Sequence, residues 1–243
     1  MICSTNYYYF KSAISKEDCE KIRHLGTSKL LETAVTRGDN EKSDNDKKAI
    51  GNKTFEKIRK EGDIIENYYV RDSKVSWLDE PWIYSLLQPF VTKANKEAGW
   101  NFEWDFSESC QFTKYTPEGF YSWHQDAAAD NSNMYKRYIH GITEEILNTK
   151  KIPKNYVRNN NWIGKTRKLS VTVNLTDPSE YDGGNLMFDF GDHSKYDRFH
   201  KCEVAREQGS IIVFPSFVYH MVEPITRGTR YSLVMWNLGR PLR

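Results

Sequence analysis

The sequence predicts an α+β fold: a jelly-roll core of short strands, buttressed on one face by helices from the N-terminal part of the chain. Three observations predict it. The capped, helix-period segments fall within the first hundred of the 243 residues. After Trp100 the chain turns to short β-favouring segments divided by turn clusters, the spacing that a double-sheet jelly roll needs. Within that run "RKLSVTVNL" alternates strictly between apolar and polar, the period of a strand. Helices first and strands afterwards read as α+β.

Taken in order, "NYYYF" is a short strand. "SKEDCEKIRHL" follows, with Ser15 and Asp18 spaced as a capping box, so a helix is expected to start near Lys16. Residues 36–63, "TRGDNEKSDNDKKAIGNKTFEKIRKEGD", read as a solvated charged insertion whose acids largely cancel its bases. "YYVRDSKVSWL" looks like one strand. "EPWIYSLLQPFVTKANKEAGW" shows helical spacing at Ile83, Leu86, Leu87 and Phe90 or Val91, with Pro89 placed to kink or interrupt it. "NFEWDF", "SCQFTKY" and "GFYSWHQD" are short strands. Residues 127–166 form a long polar connection, which reads as a substrate-side lid or as a plain insertion. In "RKLSVTVNL", Leu169, Val171, Val173 and Leu175 make one face and Ser170, Thr172 and Asn174 the other. "DPSEYDGG" is a turn cluster, and "NLMFDF", "GSIIVFP" and "RYSLVMWNL" complete the strands.

The whole chain, 1–243, reads as one domain, with residues 1–99 as support and 100–243 as core. Hydrophobic residues at 38% and aromatics at 14% suffice for a buried core. A net charge of +2, from 35 basic and 33 acidic residues, predicts no pull towards nucleic acid or an anionic membrane. No run of 18 apolar residues appears, so no membrane span is expected. Cys3, Cys19, Cys110 and Cys202 lie far apart without a C-x-x-C pair, which argues against a cysteine zinc site and a disulfide framework. The opening "MICSTNYYYFKSAISKED" lacks the pattern of a signal peptide, so a reduced, cytoplasmic setting is expected. Oligomeric state is not encoded in any readable feature.

His124 and Asp126 stand two apart on a predicted strand, which puts imidazole and carboxylate on one face. Two histidines and one carboxylate on one face of an octahedral metal leave three positions open, the arrangement of non-haem Fe(II) oxygenases. Alone, His-x-Asp is weak evidence, and polar decoration of a strand is the favoured reading of the pair. Of the five other histidines, His24, His140, His193 and His200 read as helix-surface or loop residues. His220 ends a buried apolar strand and joins His124 and Asp126 as the third ligand candidate. Arg230, ten residues on, shares a strand face with Ser232, Val234 and Trp236. A charge pointing inward there needs a partner, and a guanidinium suits a carboxylate. Arg227, in the "TRG" turn, is the better candidate for a surface ion pair.

"YTPEGFYSWHQD", "RKLSVTVNLTDPSEYDGGNLMF" and "GSIIVFPSFVYHMVEPITRGTRYSLVMW" resemble the Fe(II)/2-oxoglutarate dioxygenase domain of the prolyl 4-hydroxylase superfamily, nearest to its PKHD-type branch. The resemblance covers Gln111 to Asn237 around the long connection. It implies a double-stranded β-helix, jelly-roll or cupin-like, and makes His124, Asp126 and His220 the catalytic iron ligands. It pairs Arg230 with the distal carboxylate of 2-oxoglutarate and places Tyr115, Thr172, Leu186 and Trp236 around the cosubstrate. Asn174 is expected to hydrogen-bond it, where several relatives carry a tyrosine. Gly183 and Gly184 read as turn-formers, since the stretch has no P-loop pattern.

The implied cofactors are Fe(II), 2-oxoglutarate and O2, with ascorbate as reductant. The implied reaction is hydroxylation of a C–H bond coupled to decarboxylation of 2-oxoglutarate to succinate and CO2. The substrate is expected to be a peptidyl proline, or else a free amino acid or other small molecule. A barrel that binds metal or ligand without turnover is the reading of another class. Nucleic-acid demethylation is disfavoured by the charge balance and by Trp236, which stands where such demethylases carry a second arginine. Trp123, Tyr121 and Trp162 are candidate aromatic contacts to a substrate, with core packing the competing role for the first two. The abundance of Asn, Lys and Tyr points to an AT-rich bacterial or phage genome.

Overall fold

The computed structural model describes residues 5–29, 31–34, 71–140, 143, 155–191 and 198–241. The charged insertion 36–63 lies outside them, as do Cys3, His193 and residues 141–142 and 144–154 of the long connection.

The first half holds β1 (Tyr8–Phe10), α1 (Lys16–Ser28), β2 (Glu32–Thr33), β3 (Arg71–Asp72), β4 (Lys74–Leu78) and α2 (Pro81–Glu97). Then come β5 (Phe106–Ser107), β6 (Cys110–Tyr115), β7 (Phe120–His124), β8 (Lys136–Arg137), β9 (Tyr156–Val157) and β10 (Thr166–Asn174). The remainder is β11 (Tyr181–Gly183), β12 (Leu186–Asp189), β13 (Phe199–Lys201), β14 (Ile211–Pro215), β15 (Tyr219–Val222), β16 (Ile225–Gly228) and β17 (Arg230–Gly239).

Among the described residues the major sheet runs β1-β14-β10-β17-β6-β4-β2, with β5 also on β17, and the minor sheet runs β13-β12-β15-β7-β3. Every pairing in both is antiparallel. Along the chain, β6, β10, β14 and β17 of the major sheet alternate with β7, β12 and β15 of the minor one. That shuttling between two antiparallel sheets is consistent with the predicted jelly roll.

The helix starts follow local chemistry. Ser15 caps α1: its Oγ accepts from the Asp18 N–H at 3.0 Å and donates to the Asp18 carboxylate at 2.7 Å. α2 runs through Pro89 without a break. Pro89 is exposed, so the missing N–H costs a bond on the water side, where Ser85 Oγ already turns back to the Pro81 carbonyl. The opposite stripe of Ile83, Leu87, Val91 and Ala94 is buried and keeps the helix docked. That stripe and Ile22 of α1 share one core cluster with Leu169, Val171, Val173 and Leu175, as well as Leu233 and Met235 of β17. Each such fully buried aliphatic side chain is worth about 1.5–3 kcal/mol.

"YYVRDSKVSWL" departs from the single strand expected of it. Arg71–Asp72 pairs with β7 in the minor sheet, and Lys74–Leu78 pairs with β6 in the major sheet. Buried Ser73 marks the switch: its Oγ accepts from Arg71 Nε at 2.8 Å and its carbonyl from Ala34 N–H at 2.9 Å. The local pattern is β-favouring on both sides, and the change of sheet is set by partners far along the chain, Phe120–Tyr121 for one half and Cys110–Lys114 for the other.

Candidate metal and cosubstrate site

β7 and β15 are neighbours in the minor sheet, and their register sets His220 directly opposite His124. Asp126 lies just beyond the end of β7. Its N–H and that of Ala127 both donate to the Ser216 carbonyl, at 2.9 and 3.0 Å, which turns the chain back towards the strand face. The potential ligand atoms of His124, Asp126 and His220 all lie within 4.8 Å of one another. His124 Nε2 is 3.7 Å from Asp126 Oδ1, and His220 Nε2 is 3.6 Å from Asp126 Oδ2. These distances are too long for hydrogen bonds and leave each carboxylate oxygen facing one imidazole.

Each imidazole is oriented by its own strand. His124 Nδ1 lies 2.8 Å from the Ser122 carbonyl and His220 Nδ1 3.0 Å from the Val218 carbonyl. A carbonyl accepts only, so both rings carry the proton on Nδ1 and turn the Nε2 lone pair towards Asp126. Burial holds the His124 pKa down to about 3, with the neighbouring His220 adding to the effect. For Asp126, burial pulls upward, but the two imidazoles, Arg167 and a 2.7 Å bond from Ser170 Oγ outweigh it and hold the carboxyl at about 2. Both groups therefore stand in the protonation state a metal ligand requires at neutral pH. The Tyr121 ring stacks on His124 at 3.6 Å, and Arg71 lies over Tyr121 at 4.5 Å.

The triad opens into a cavity that Tyr115, Thr172, Leu186, Arg230 and Trp236 also line. Arg230, Ser232, Val234 and Trp236 all face it from β17, as strand alternation requires. Arg230 is 3% exposed, and its Nη1 has no hydrogen-bond partner. No carboxylate among the described residues pairs with it; the Tyr115 ring lies 5.7 Å from its guanidinium. An ionised guanidinium in such a place demands an anion.

Asn174 is the one predicted cosubstrate residue that the fold sends elsewhere. Its amide donates to the Thr176 and Arg206 carbonyls, at 2.8 and 2.7 Å, and does not line the cavity. It sits at the last residue of β10, where two chain-turn carbonyls compete for its donors. Trp123 is buried against Phe199 and away from the cavity, whereas Tyr121 lines it. Of the other histidines, His24 and His140 are exposed, and His200 is half-buried beside the Tyr7 hydroxyl.

A second, open cleft of about 580 Å³ shares Asp126, Tyr121, Arg71, Gln111 and Trp236 with the inner cavity. Trp77, Tyr135 and Trp162 line its outer part, so the described end of the long connection forms one of its walls. Arg167, on the same cleft, is closed off by Glu108: Nε to Oε1 at 2.7 Å and Nη2 to Oε2 at 2.6 Å, with the Tyr135 hydroxyl donating to Oε1 at 2.9 Å. Sequence reading passed over Arg71, Gln111, Glu108 and Arg167, none of which falls in a spaced motif. The Ser170 bond to Asp126 was half-visible, in that alternation placed Ser170 on the polar face.

The sequence model of the 2OG-Fe(II) oxygenase superfamily matches residues 110–237, more than half of the chain. The chain belongs to this superfamily. It resembles a PKHD-type hydroxylase of Methylobacterium nodulans, at 41% identity over 71 residues, which cover 28% of this chain and 27% of the relative. The aligned stretch thus spans under a third of that protein. A viral collagen prolyl hydroxylase from Paramecium Bursaria Chlorella virus-1, solved with 2OG, has the same fold: TM-score 0.56 at 14% identity, over 98% of this chain and 99% of that one. A prolyl hydroxylase from Trichoplax adhaerens, in complex with a hypoxia inducible factor peptide fragment, gives TM-score 0.59 at 13% identity, over 96% and 84%.

The superfamily implies Fe(II), 2-oxoglutarate and O2, and the residues present fit them. Two neutral imidazoles and a carboxylate are a suitable Fe(II) donor set. The unpartnered guanidinium of Arg230, in the same cavity, suits the distal carboxylate of 2-oxoglutarate. Among the described residues no helix is long and apolar enough to cross a membrane.

Proposed function

We propose that this protein is an Fe(II)- and 2-oxoglutarate-dependent dioxygenase that hydroxylates a C–H bond of a peptidyl substrate, with proline as the target residue. The observation that carries the proposal is one cavity holding both the His124–Asp126–His220 cluster and a buried arginine that no carboxylate of the described residues pairs with.

In this reading His124, Asp126 and His220 hold the metal, and Arg230 holds the far carboxylate of 2-oxoglutarate. When bound, Fe(II) would supply O2 activation, with O2 as the oxidant and 2-oxoglutarate as the two-electron reductant: one oxygen atom would end in succinate, with loss of CO2, and the other in the hydroxylated substrate. The chain binds, orients and shields. Nδ1–H bonds to strand carbonyls keep the imidazoles aimed. Ser170 holds Asp126 in place, and Ser216 holds Ser170 in turn at 2.9 Å. Tyr115, Leu186 and Val222 give the inner cavity apolar walls that exclude water. Trp236 stands where the inner cavity meets the outer cleft, and its buried Nε1–H has no acceptor. It is a free donor for a substrate carbonyl.

A peptide substrate is favoured by the open, aromatic-lined cleft, which suits an extended chain with a proline ring against an aromatic face. The fold-sharing proteins named as prolyl hydroxylases support the same choice. The described parts of the long connection, through Tyr135 and Trp162, are proposed as the wall that contacts the substrate in this cleft. The test incubates the protein with Fe(II), 2-oxoglutarate, ascorbate and proline-rich peptides, and follows succinate and a 16 Da gain by mass spectrometry (about one oxygen atom). Succinate without any oxygenated peptide moves the substrate to a free amino acid or other small molecule. Absence of succinate with Fe(II) demonstrably bound leaves a metal-binding barrel without turnover.

A further inference from the structure

The long connection contains a small two-stranded sheet of its own. β8 and β9 pair in parallel, with Lys136 opposite Tyr156 and Arg137 opposite Val157. Lys136, Arg137 and Arg158 are exposed on this ribbon. Side chains alternate along a strand, so Lys136 and Tyr138 share one face with Tyr156 and Arg158. Each cation there lies over a ring of the other strand: Lys136 Nζ is 5.8 Å from the Tyr156 centroid, and the Arg158 guanidinium 4.6 Å from that of Tyr138. Arg137 Nη1 donates to Asn160 Oδ1 at 3.1 Å. The three cations are thus held by neutral groups, and no carboxylate of the described residues pairs with any of them. Elsewhere on the described surface, Lys11, Lys16, Lys201 and Arg227 each reach a carboxylate. The described residues of the connection hold one other Lys or Arg, Lys165, which pairs with Asp105, and one carboxylate, Asp130, which accepts from the Ser132 N–H.

The ribbon also continues one wall of the outer cleft. Tyr135, one residue before β8, and Trp162, two residues after Asn160, both line that cleft and pack edge to face at 4.9 Å. At about 3.3–3.6 Å per residue, an extended chain leaving the cleft spans the step from Tyr135 to Arg137 in about two residues of its own. Fixed cations without counter-charges beside a substrate cleft match an anion carried by the substrate. We propose that the β8–β9 ribbon is a docking surface for an acidic segment of the substrate, with Asp or Glu side chains near the target residue seated against Lys136, Arg137 and Arg158. The inference rests on the peptide reading above and adds the charge of the chain that flanks the target. Peptide carboxylates are favoured over the phosphates of a nucleic acid. Both tyrosine rings of the ribbon are already engaged by its own cations rather than left bare for base stacking, and the exposed Glu32 carboxylate lines the cleft.

The test reads binding first and turnover second. Anaerobic protein loaded with Fe(II) and 2-oxoglutarate is titrated with fluorescein-labelled peptides of one length, each with a central proline and with Asp/Glu, Ser/Gln or Lys flanks. The acidic peptides are expected to bind about fivefold more tightly than the neutral ones at low ionic strength, and the gap should close as salt is added, as for exposed ion pairs. Lys136→Gln with Arg158→Gln should remove most of that preference, and Lys136→Glu with Arg158→Glu should abolish or reverse it, with neutral-peptide binding and Tm unchanged. In turnover the same variants should raise KM for the acidic peptide and leave kcat unchanged. Three results overturn the proposal: no preference in wild type, a preference that survives charge reversal, or tighter binding of a single-stranded oligouridylate than of the acidic peptide. A proline-free acidic peptide separates the inference from the functional reading. If charge-dependent binding stands but no peptide gains oxygen, proline falls as the target and the docking surface remains. Oxygen gained without any charge preference keeps the functional reading and removes the docking surface.

Discussion

Two charge clusters, one on the outer cleft and one in the adjoining inner cavity, behave in opposite ways. At the outer end, Arg167 and Glu108 close on each other through two bonds of 2.6–2.7 Å, and the guanidinium lies 3.9 Å over the Trp236 ring. At the inner end, Arg230 is more deeply buried than Arg167 yet has no carboxylate partner among the described residues. Asp126 likewise faces two imidazoles across gaps of 3.6–3.7 Å, with only Ser170 donating a hydrogen bond to its side chain. The Glu108 carboxylate outweighs the burial of Arg167 and keeps that guanidinium charged. The difference teaches which charges belong to the fold and which belong to a ligand. A satisfied buried pair holds structure, whereas opposite charges kept apart within one cavity wait for something to come between them.

The contrast can be broken by experiment. The largest effect is expected at the open cluster. His124→Ala should abolish Fe(II) binding and succinate formation, with Tm of the metal-free protein little changed; retention of stoichiometric Fe(II) would remove His124 from the ligand set. Next, Arg230→Met should weaken 2-oxoglutarate by at least about 100-fold, because a desolvated charge pair is lost. It should leave or raise the Tm of the ligand-free protein, because an unpaired buried charge is removed. A clear loss of stability would show that Arg230 has a structural partner after all.

The closed cluster should respond the other way round. Glu108→Gln strands Arg167 and is expected to cost about 3 kcal/mol, a fall in Tm of roughly 6–12 °C. Affinity for 2-oxoglutarate should stay within about twofold. A reversed pattern, with Tm unchanged and cosubstrate binding lost, would merge the two clusters into one site. Ser170→Ala is smaller again. It removes the one side-chain donor to Asp126 and should lower Fe(II) affinity about tenfold, readable by metal titration.

The smallest effect is the pH dependence of the metal-free protein. His124 sits near pKa 3 in the fold against an ordinary 6.5, so below 6.5 the unfolded chain takes up a proton that the folded one refuses. Its contribution to stability is present above pH 6.5 and is lost as pH falls towards 3. Asp126, at about 2 against 3.8, adds a further loss below pH 3.8. Tm should therefore decline on acidification below 6.5, and His124→Gln should flatten the upper part of that decline. An unchanged slope would place the responsible group elsewhere.

How much of this was legible depends on the range over which each feature is specified. His124 and Asp126 on one face, the inward row from Arg230 to Trp236, and the apolar row from Leu169 to Leu175 all follow from the two-residue period of a strand. Ser15 announced the start of α1 through chemistry confined to one turn. The division of "VRDSKVSWL" between two sheets was not legible, because both halves favour strand equally and their partners are Phe120–Tyr121 and Cys110–Lys114. The fate of Asn174 was not legible either: Arg206, which accepts from its amide, arrives from 32 residues away.

By itself, then, the sequence determined the order of helices and strands, the spacing of the ligand candidates and the arginine that follows them. Those are local properties, written in side-chain periodicity and capping. Only the tertiary structure decided that His220 stands opposite His124, that Glu108 neutralises Arg167 while no carboxylate of the described residues pairs with Arg230, and that Asn174 turns away from the cavity. Each of these depends on residues far apart in the chain, brought together by strand pairing and loop packing, and no pattern within one segment carries the register of that pairing.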